Sequence, residues 1–374
     1  MDEKEHETGW EEDIKQLCPK EAKGDVRSVK GWKKKVFRAF MIAGCALLLI
    51  LLGGGGAFLY LREKGSRSLK TQIPAEEEEA EREGLRITYN GKTYEYNTDI
   101  VNFLCLGIDK ELPIEQKRET GSSGLADTIL LVSVNVEENT IKMLVVPRDT
   151  IVPVKVLDTE GNLAWEEEKQ LTLQYAYGQT AEASRELMTE AVSELLYKLP
   201  IQRSCAVNFQ ALPILNDAIG GVTLTSIETV YWWGGELHAG EEMHLLGREA
   251  LNYVRGRNNK VKGSSMKRSE RQKQYVTCYI EQAKVAMKSD ITLPVRLYRS
   301  LEHHMSTNVT LEDIAYLAPK VPDMSLSMQD ISTVPGELAQ ISVSPQEVHE
   351  EYYVHTEELK QFLIENYYKE LKYD

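Results

Sequence analysis

Three aspartates stand where apolar runs give out. Asp109 closes 101-VNFLCLGI-108, Asp127 precedes 128-TILLVSVNV-136, and Asp149 follows Arg148 after 140-TIKMLVVP-147. Such runs read as strands, and sheet proteins commonly place sites at strand ends. Carboxylate oxygens there suit a hard cation such as magnesium, although each aspartate alone could simply cap a turn. The second set is basic. The stretch 255-RGRNNKVKGSSMKRSERQK-273 holds Arg255, Arg257, Lys260, Lys262, Lys267, Arg268, Arg271 and Lys273 against one acid, Glu270. Arg268, Arg271, Gln272 and Tyr275 fall at i, i+3, i+4 and i+7, one face of a helix expected to begin at Arg268. Its first turns would offer free N–H groups to an anion, and arginine forks match phosphate oxygens. The spacing therefore points to a phosphate or pyrophosphate site, with Arg255 and Arg257 as one arm and Arg268, Arg271 and Gln272 as the other. Acids around magnesium and arginines around phosphates together describe phosphoryl transfer.

Other chemistries find little support. There is no Walker A sequence, no G-x-S-x-G, no H-E-x-x-H, and no C-x-x-C. Five cysteines (Cys18, Cys45, Cys105, Cys205, Cys278) are odd in number and widely spaced, so no disulfide framework is expected. They read as small apolar residues. A formal net charge of −14 over 374 residues argues against nucleic acid, as does the absence of aromatics between the arginines.

The elements that must position these residues follow from periodicity. 86-RITYNGKTYEYN-97 is a hairpin signal around Asn90-Gly91. 205-CAVNF-209 is a further strand, and 330-DISTVPG-336 is strand-like. Helical spacing marks 181–199, 247–255, 268–289, 311–320 and 356–371, and 211–226 reads as a short helix, a Gly-Gly turn and a strand. Strands interleaved with helices predict an α/β (α+β) fold, a central mixed sheet flanked by helices.

One segment lies outside that pattern. 39-AFMIAGCALLLILLGGGGAFLYL-61 has no charge over about 23 residues, against roughly 20 needed to span a bilayer. The preceding flank (Arg27, Lys30, Lys33, Lys34, Lys35, Arg38) is more basic than the following one. That predicts a single-pass chain with its N-terminus inside and its C-terminal bulk outside. A cleaved signal peptide is the less favoured alternative, because the run is long and starts late. The expected organisation is a cytoplasmic tail over 1–38, the span over 39–61, a charged stalk over 62–84, and an extracellular domain over 85–374. Within that domain the motifs fall at about 100–290, and 291–374 is an extension.

In order, 106-LGID-109, 124-GLADTILLVSVN-135, 146-VPRDT-150, 171-LTLQYAYG-178, 214-ILNDAIGGVTL-224 and 250-ALNYVRGRNNKVKGSSMKRSERQKQY-275 resemble the LytR-CpsA-Psr family of bacterial cell-wall enzymes. The resemblance implies transfer of a glycopolymer from a polyprenyl-pyrophosphate carrier to peptidoglycan on the outer membrane face, leaving polyprenyl phosphate. It implies magnesium on Asp109 and Asp127, and pyrophosphate on Arg148, Arg255, Arg257, Arg268 and Gln272, beside Arg271 from the spacing argument. Arg148, Arg268 and Asp127 are then the catalytic set. The family's lipid groove would have the apolar face of 181–199 and the segment 211–219 as walls. Three positions depart from its usual pattern: Leu125 for an arginine, Gln170 for a lysine and Ser265 for an aspartate. These losses of charge keep two alternatives open, a non-catalytic polyprenyl-phosphate binder or envelope regulator, and a lipid pyrophosphatase.

Overall fold

The computed structural model describes residues 56–71, 84–110, 121, 124–232, 235–256, 264–344 and 347–371. The tail, most of the apolar span and Arg257 lie outside them. Among the described residues, no helix is long and apolar enough to cross a membrane. The chain divides into Met1–Leu59 and Tyr60–Asp374, and the features below lie in the second unit apart from the first residues of one helix.

Helix α1 (residues 56–69) leads to β1 (Arg86–Tyr89), β2 (Lys92–Tyr96), β3 (Ile100–Ile108), β4 (Ala126–Asn135) and β5 (Thr140–Val145). The hairpin β6 (Ile151–Leu157) and β7 (Leu163–Gln170) runs through a 3-10 segment, Leu171–Tyr177, into α2 (Ala181–Leu195), β8 (Arg203–Asn208) and α3 (Ala211–Ala218). Short strands β9 (Val222–Thr225), β10 (Val230–Trp232), β11 (Gly235–Leu237) and β12 (Glu242–Leu245) precede α4 (Arg248–Arg255) and α5 (Ser264–Ser289). The chain closes with α6 (Leu293–Ser300), β13 (Met305–Thr307), α7 (Leu311–Leu317), β14 (Ile331–Thr333), the hairpin β15 (Gly336–Ser344) and β16 (Glu347–Val354), α8 (Thr356–Tyr367) and β17 (Tyr368–Glu370).

The central sheet has the order β13-β8-β3-β4-β5-β14. β8 runs parallel to β3 and β14 parallel to β5; the other neighbours are antiparallel. This is the mixed, helix-flanked sheet that the sequence predicts. One face buries Leu104, Leu106, Ile129 and Leu131 against Met188 and Val192 of α2 and Leu359 and Leu363 of α8. The opposite face packs Val101, Val134 and Met143 against Tyr316 and Leu317 of α7, with Val276 and Ile280 of α5 alongside. A third cluster, including Val222, Leu245, Leu251 and Tyr275, ties β9 and β12 to α4 and α5.

Local signals hold where they are strong. Asn90 and Gly91 both take positive φ (49° and 76°), as the hairpin turn between β1 and β2 requires. The helix expected over 181–199 ends at Leu195, where Tyr197 and Lys198 turn left-handed (φ 57° and 59°) ahead of Pro200. β6, β7, β15 and β16 were not anticipated. Every residue of β7 from Leu163 to Glu168 is exposed, so no apolar alternation marks it as a strand.

The burial of β3 differs from expectation in a way that matters. Its apolar run suggests a strand covered on both faces. Leu104, Leu106 and Ile108 are buried, but Phe103, Cys105 and Gly107 are only half-buried. Leu130 and Val132 of β4 and Val145 of β5 are likewise half-buried. The α5 face of the sheet is thus an apolar surface left partly open. Cys105 and Cys205 lie side by side on it, in register and free. Burial pushes their thiols up to about 11 and about 12, as befits inert apolar fillers.

Candidate functional site

β3 and β4 pair Gly107 with Thr128 and Ile108 with Ala126. Asp127 is therefore the extra residue of a β-bulge, a device that re-aims one side chain at a sheet end. Gly124 sits at φ +93°, and a Cβ there would lie 3.0 Å from Asp109 Oδ1. The glycine lets the backbone close over Asp109, whose Oδ1 accepts the Leu125 N–H at 2.6 Å.

Arg148 Nη1 donates to Asp127 Oδ1 at 2.5 Å, and its Nε lies 3.5 Å from Asp149 Oδ1. Burial works against the Arg148 charge, but Asp149 and Asp127 outweigh it and hold the guanidinium above its ordinary value. The loop is braced from two sides. The 3-10 segment bonds it through Thr172 N–H to Arg148 O at 3.0 Å and Leu171 N–H to Thr150 O at 2.8 Å. From the other side, Tyr352 of β16 donates its N–H to Asp149 O at 2.9 Å.

Opposite stands the basic stretch. Arg255 ends α4, its guanidinium 3.8 Å above the Phe209 ring, a cation–π contact that fixes its direction. Arg268 and Gln272 sit one turn apart on α5, and Gln272 Nε2 donates to Val254 O at 3.3 Å. Together with Asp127, these three side chains line one cavity of about 280 Å³, walled also by Gly107, Thr128, Phe209, Leu212 and Leu251. A small apolar seam of about 60 Å³ adjoins it under α5, lined by Leu130, Met143, Val145 and Val276. Thr128 and Gln272 belong to both, so the arginine-lined cavity adjoins the half-open sheet face.

The family model for LytR_cpsA_psr matches residues 57–366. The chain belongs to the LytR-CpsA-Psr family. It is 27% identical over 266 residues to polyisoprenyl-teichoic acid–peptidoglycan teichoic acid transferase TagU of Bacillus subtilis (strain 168), covering 71% of this chain and 76% of that one. It is 24% identical over 324 residues to TagV of the same organism, an enzyme of the same description, covering 81% and 74%. The crystal structure of B. subtilis TagV superposes with a TM-score of 0.55 at 21% identity, over 71% of this chain and 96% of that one. TagT bound to LIIa-WTA gives 0.51 at 20% identity, over 80% and 95%. These structural likenesses establish a shared fold.

Against the LytR-CpsA-Psr expectation, Asp127, Arg255, Arg268 and Gln272 meet in one cavity, and Arg148 is joined to it through Asp127. Asp109 stands one step along, at the end of β3. Arg271 requires a correction. It is only 2% exposed; its Nε donates to Glu228 Oε1 at 2.5 Å, and its terminal nitrogens donate to Tyr253 O and Gly256 O. It is absent from the cavity wall and instead ties α4 to α5. The reason is angular: α5 points Arg268 and Gln272 at the cavity, and Arg271, about 100° round the helix from Gln272, falls instead against Tyr253 of the third cluster. The helix also starts at Ser264, so Arg268 lies beyond the free N–H groups of the first turn.

Of the expected groove walls, Leu212 of α3 lines the cavity, but α2 lies on the other face of the sheet. Phe209 and Thr128, which no periodicity singles out, also shape the site. At the departures from the family pattern, Leu125 brings no charge of its own, and its backbone N–H is what Asp109 Oδ1 accepts. Gln170 donates through Nε2 to Asp149 Oδ1 at 3.2 Å and to Glu350 O at 2.7 Å, which a hydrogen-bonding amide allows without added charge. The side chain of Ser265 is not among those described.

Proposed function

We propose that this protein is a single-pass membrane phosphotransferase that moves a glycopolymer from a polyprenyl-pyrophosphate carrier to peptidoglycan on the outer face of the cytoplasmic membrane. The observation that carries this reading is the cavity lined by Asp127, Arg255, Arg268 and Gln272 and adjoining an apolar sheet face. Cationic and neutral donors suit a pyrophosphate, and the sheet face suits an isoprenoid tail. The seam is narrow, so a tail would enter by parting α5 from β4 and β5. The named activity of TagU and TagV supports the same substrate class and acceptor. The uncharged run over 39–61 and its basic inner flank support the anchor.

Arg255 and Arg268 hold the pyrophosphate oxygens where negative charge grows as the acceptor hydroxyl attacks phosphorus and the bond to polyprenyl phosphate breaks. Asp127 sets the direction of Arg148, which adds a third guanidinium at the edge of the cavity. Magnesium fits the donor set. Asp109 and Asp127 each commit Oδ1 to the protein and leave Oδ2 without a partner among the described residues. No group of three or more His, Cys, Asp or Glu gathers among those residues. Two carboxylates completed by phosphate oxygens and water is a common magnesium arrangement. A bound ion would supply neutralisation of the phosphate charge.

The test is transfer of a lipid-pyrophosphate-linked polymer to peptidoglycan by the full chain in detergent with magnesium. Arg268→Ala and Asp127→Ala should each lower the rate about 100-fold or more, with the circular dichroism spectrum unchanged. Full activity in both would overturn the mechanism. Tight polyprenyl-phosphate binding without turnover would identify a receptor, and phosphate release without an acceptor a pyrophosphatase.

A further inference from the structure

A second groove begins where the reacting site ends. Ile151, two residues past Asp149, opens a cavity of about 450 Å³ between the hairpin β6–β7 and α2. Its bed is apolar: Ile151, Pro153, Leu187, Ala191 and Leu195. Its rim carries Glu166, Glu190 and Glu194. The lining cation, Lys155, is bonded to Glu190 at 2.6 Å, Lys198 lies 4.0 Å from Glu194, and Glu166 has no ion-pair partner among the described residues, so it is the acid of the rim open to a ligand.

The register fixes the groove's direction. Ile151 pairs with Gln170, Pro153 with Glu168 and Lys155 with Glu166. Paired residues at every second position share one face of a hairpin. The row therefore leads from Gln170, bonded to Asp149, outward to Glu166. An anionic donor polymer is repelled by this acidic rim, whereas a ligand with an apolar body and a free amine is attracted. Peptidoglycan stem peptides offer that amine on a short body rich in small apolar residues, provided their carboxylates point away from Glu166.

We propose that this groove binds the stem peptide of the peptidoglycan acceptor, with its amine at Glu166, and so presents the glycan hydroxyl to the arginine cavity. This rests on the transferase function proposed above. The groove accounts for an acidic, apolar-floored surface that the donor site does not use. It also gives the hairpin β6–β7 a role in acceptor choice.

The experiment is donor-free. End-labelled, un-crosslinked peptidoglycan strands are titrated against the full chain in detergent, with amines either free or acetylated. Free-amine strands should bind, and Glu166→Lys should weaken them at least tenfold, as should Ala191→Trp, which fills the bed. Acetylated strands should bind the unaltered protein about as weakly as free strands bind Glu166→Lys, with no further loss on that substitution. Equal binding of free and acetylated strands, or no effect of Glu166→Lys, would overturn the proposal. Glu166 lies on an exposed strand, so melting curves will confirm a folded variant. Normal strand binding with no transfer would instead count against the transferase reading.

Discussion

Arg268 and Arg271 are three residues apart and chemically identical, yet they belong to different parts of the protein. Arg268 lines the cavity; Arg271 is buried and satisfies Glu228 and two carbonyls. Arg271→Ala would leave two carbonyls unpaired near the core and Glu228 with only the more distant, exposed Lys267 at 4.0 Å, costing about 3 kcal/mol. Denaturant unfolding should register that loss, whereas Arg268→Ala should melt like the parent. Equal stability of the two variants would contradict the assignment. Asp149 offers a pH test. Burial raises its carboxyl above the ordinary value; Arg148 opposes that, and Glu350 and Asp127 add to it. The folded state therefore holds this proton to higher pH than the unfolded chain. The contribution is neutral at low pH and becomes unfavourable as pH rises through the folded pKa. Asp149→Asn removes that penalty, so its melting temperature relative to the parent should climb between about pH 3 and about pH 7. A flat difference across that range would refute this account.

At the scale of elements, the C-terminal extension is part of the site's frame. β16 reaches the Arg148 loop through Tyr352 N–H to Asp149 O, and Gln170 bonds Glu350 O. The Tyr352 N–H points away from β15, but its phenol donates to Val334 O at 2.6 Å, so Tyr352→Pro is read against Tyr352→Ala, which loses the phenol and keeps the N–H. Transfer should fall about tenfold from the alanine to the proline variant, since small misplacements of a positioning group are costly, while thermal melting moves little. Unchanged transfer would show that the brace is dispensable. This brace could not be anticipated from the sequence. β15 and β16 pair mainly with each other, and their contact with residues 149–150 is set by packing between distant segments.

Across the whole molecule, an acidic chain places Arg148, Arg255 and Arg268 together with Asp127 at one end of its sheet and, on the reading proposed here, carries that end outside the cell. Protease added to intact protoplasts should digest the domain after residue 84 and leave a membrane-bound fragment holding residues 1–61. Protection of the domain would reverse the orientation. The sequence by itself determined the inner strands β3, β4, β5 and β8, the main helices, the hairpin at Asn90-Gly91, and the residue types for holding phosphate. Those depend on local periodicity and on side chains a few positions apart. Only the tertiary structure decided that a bulge aims Asp127, that Arg271 faces inward, and that one sheet face stays half open. Each depends on which distant segment covers which face, and that is a balance of packing that no local pattern encodes.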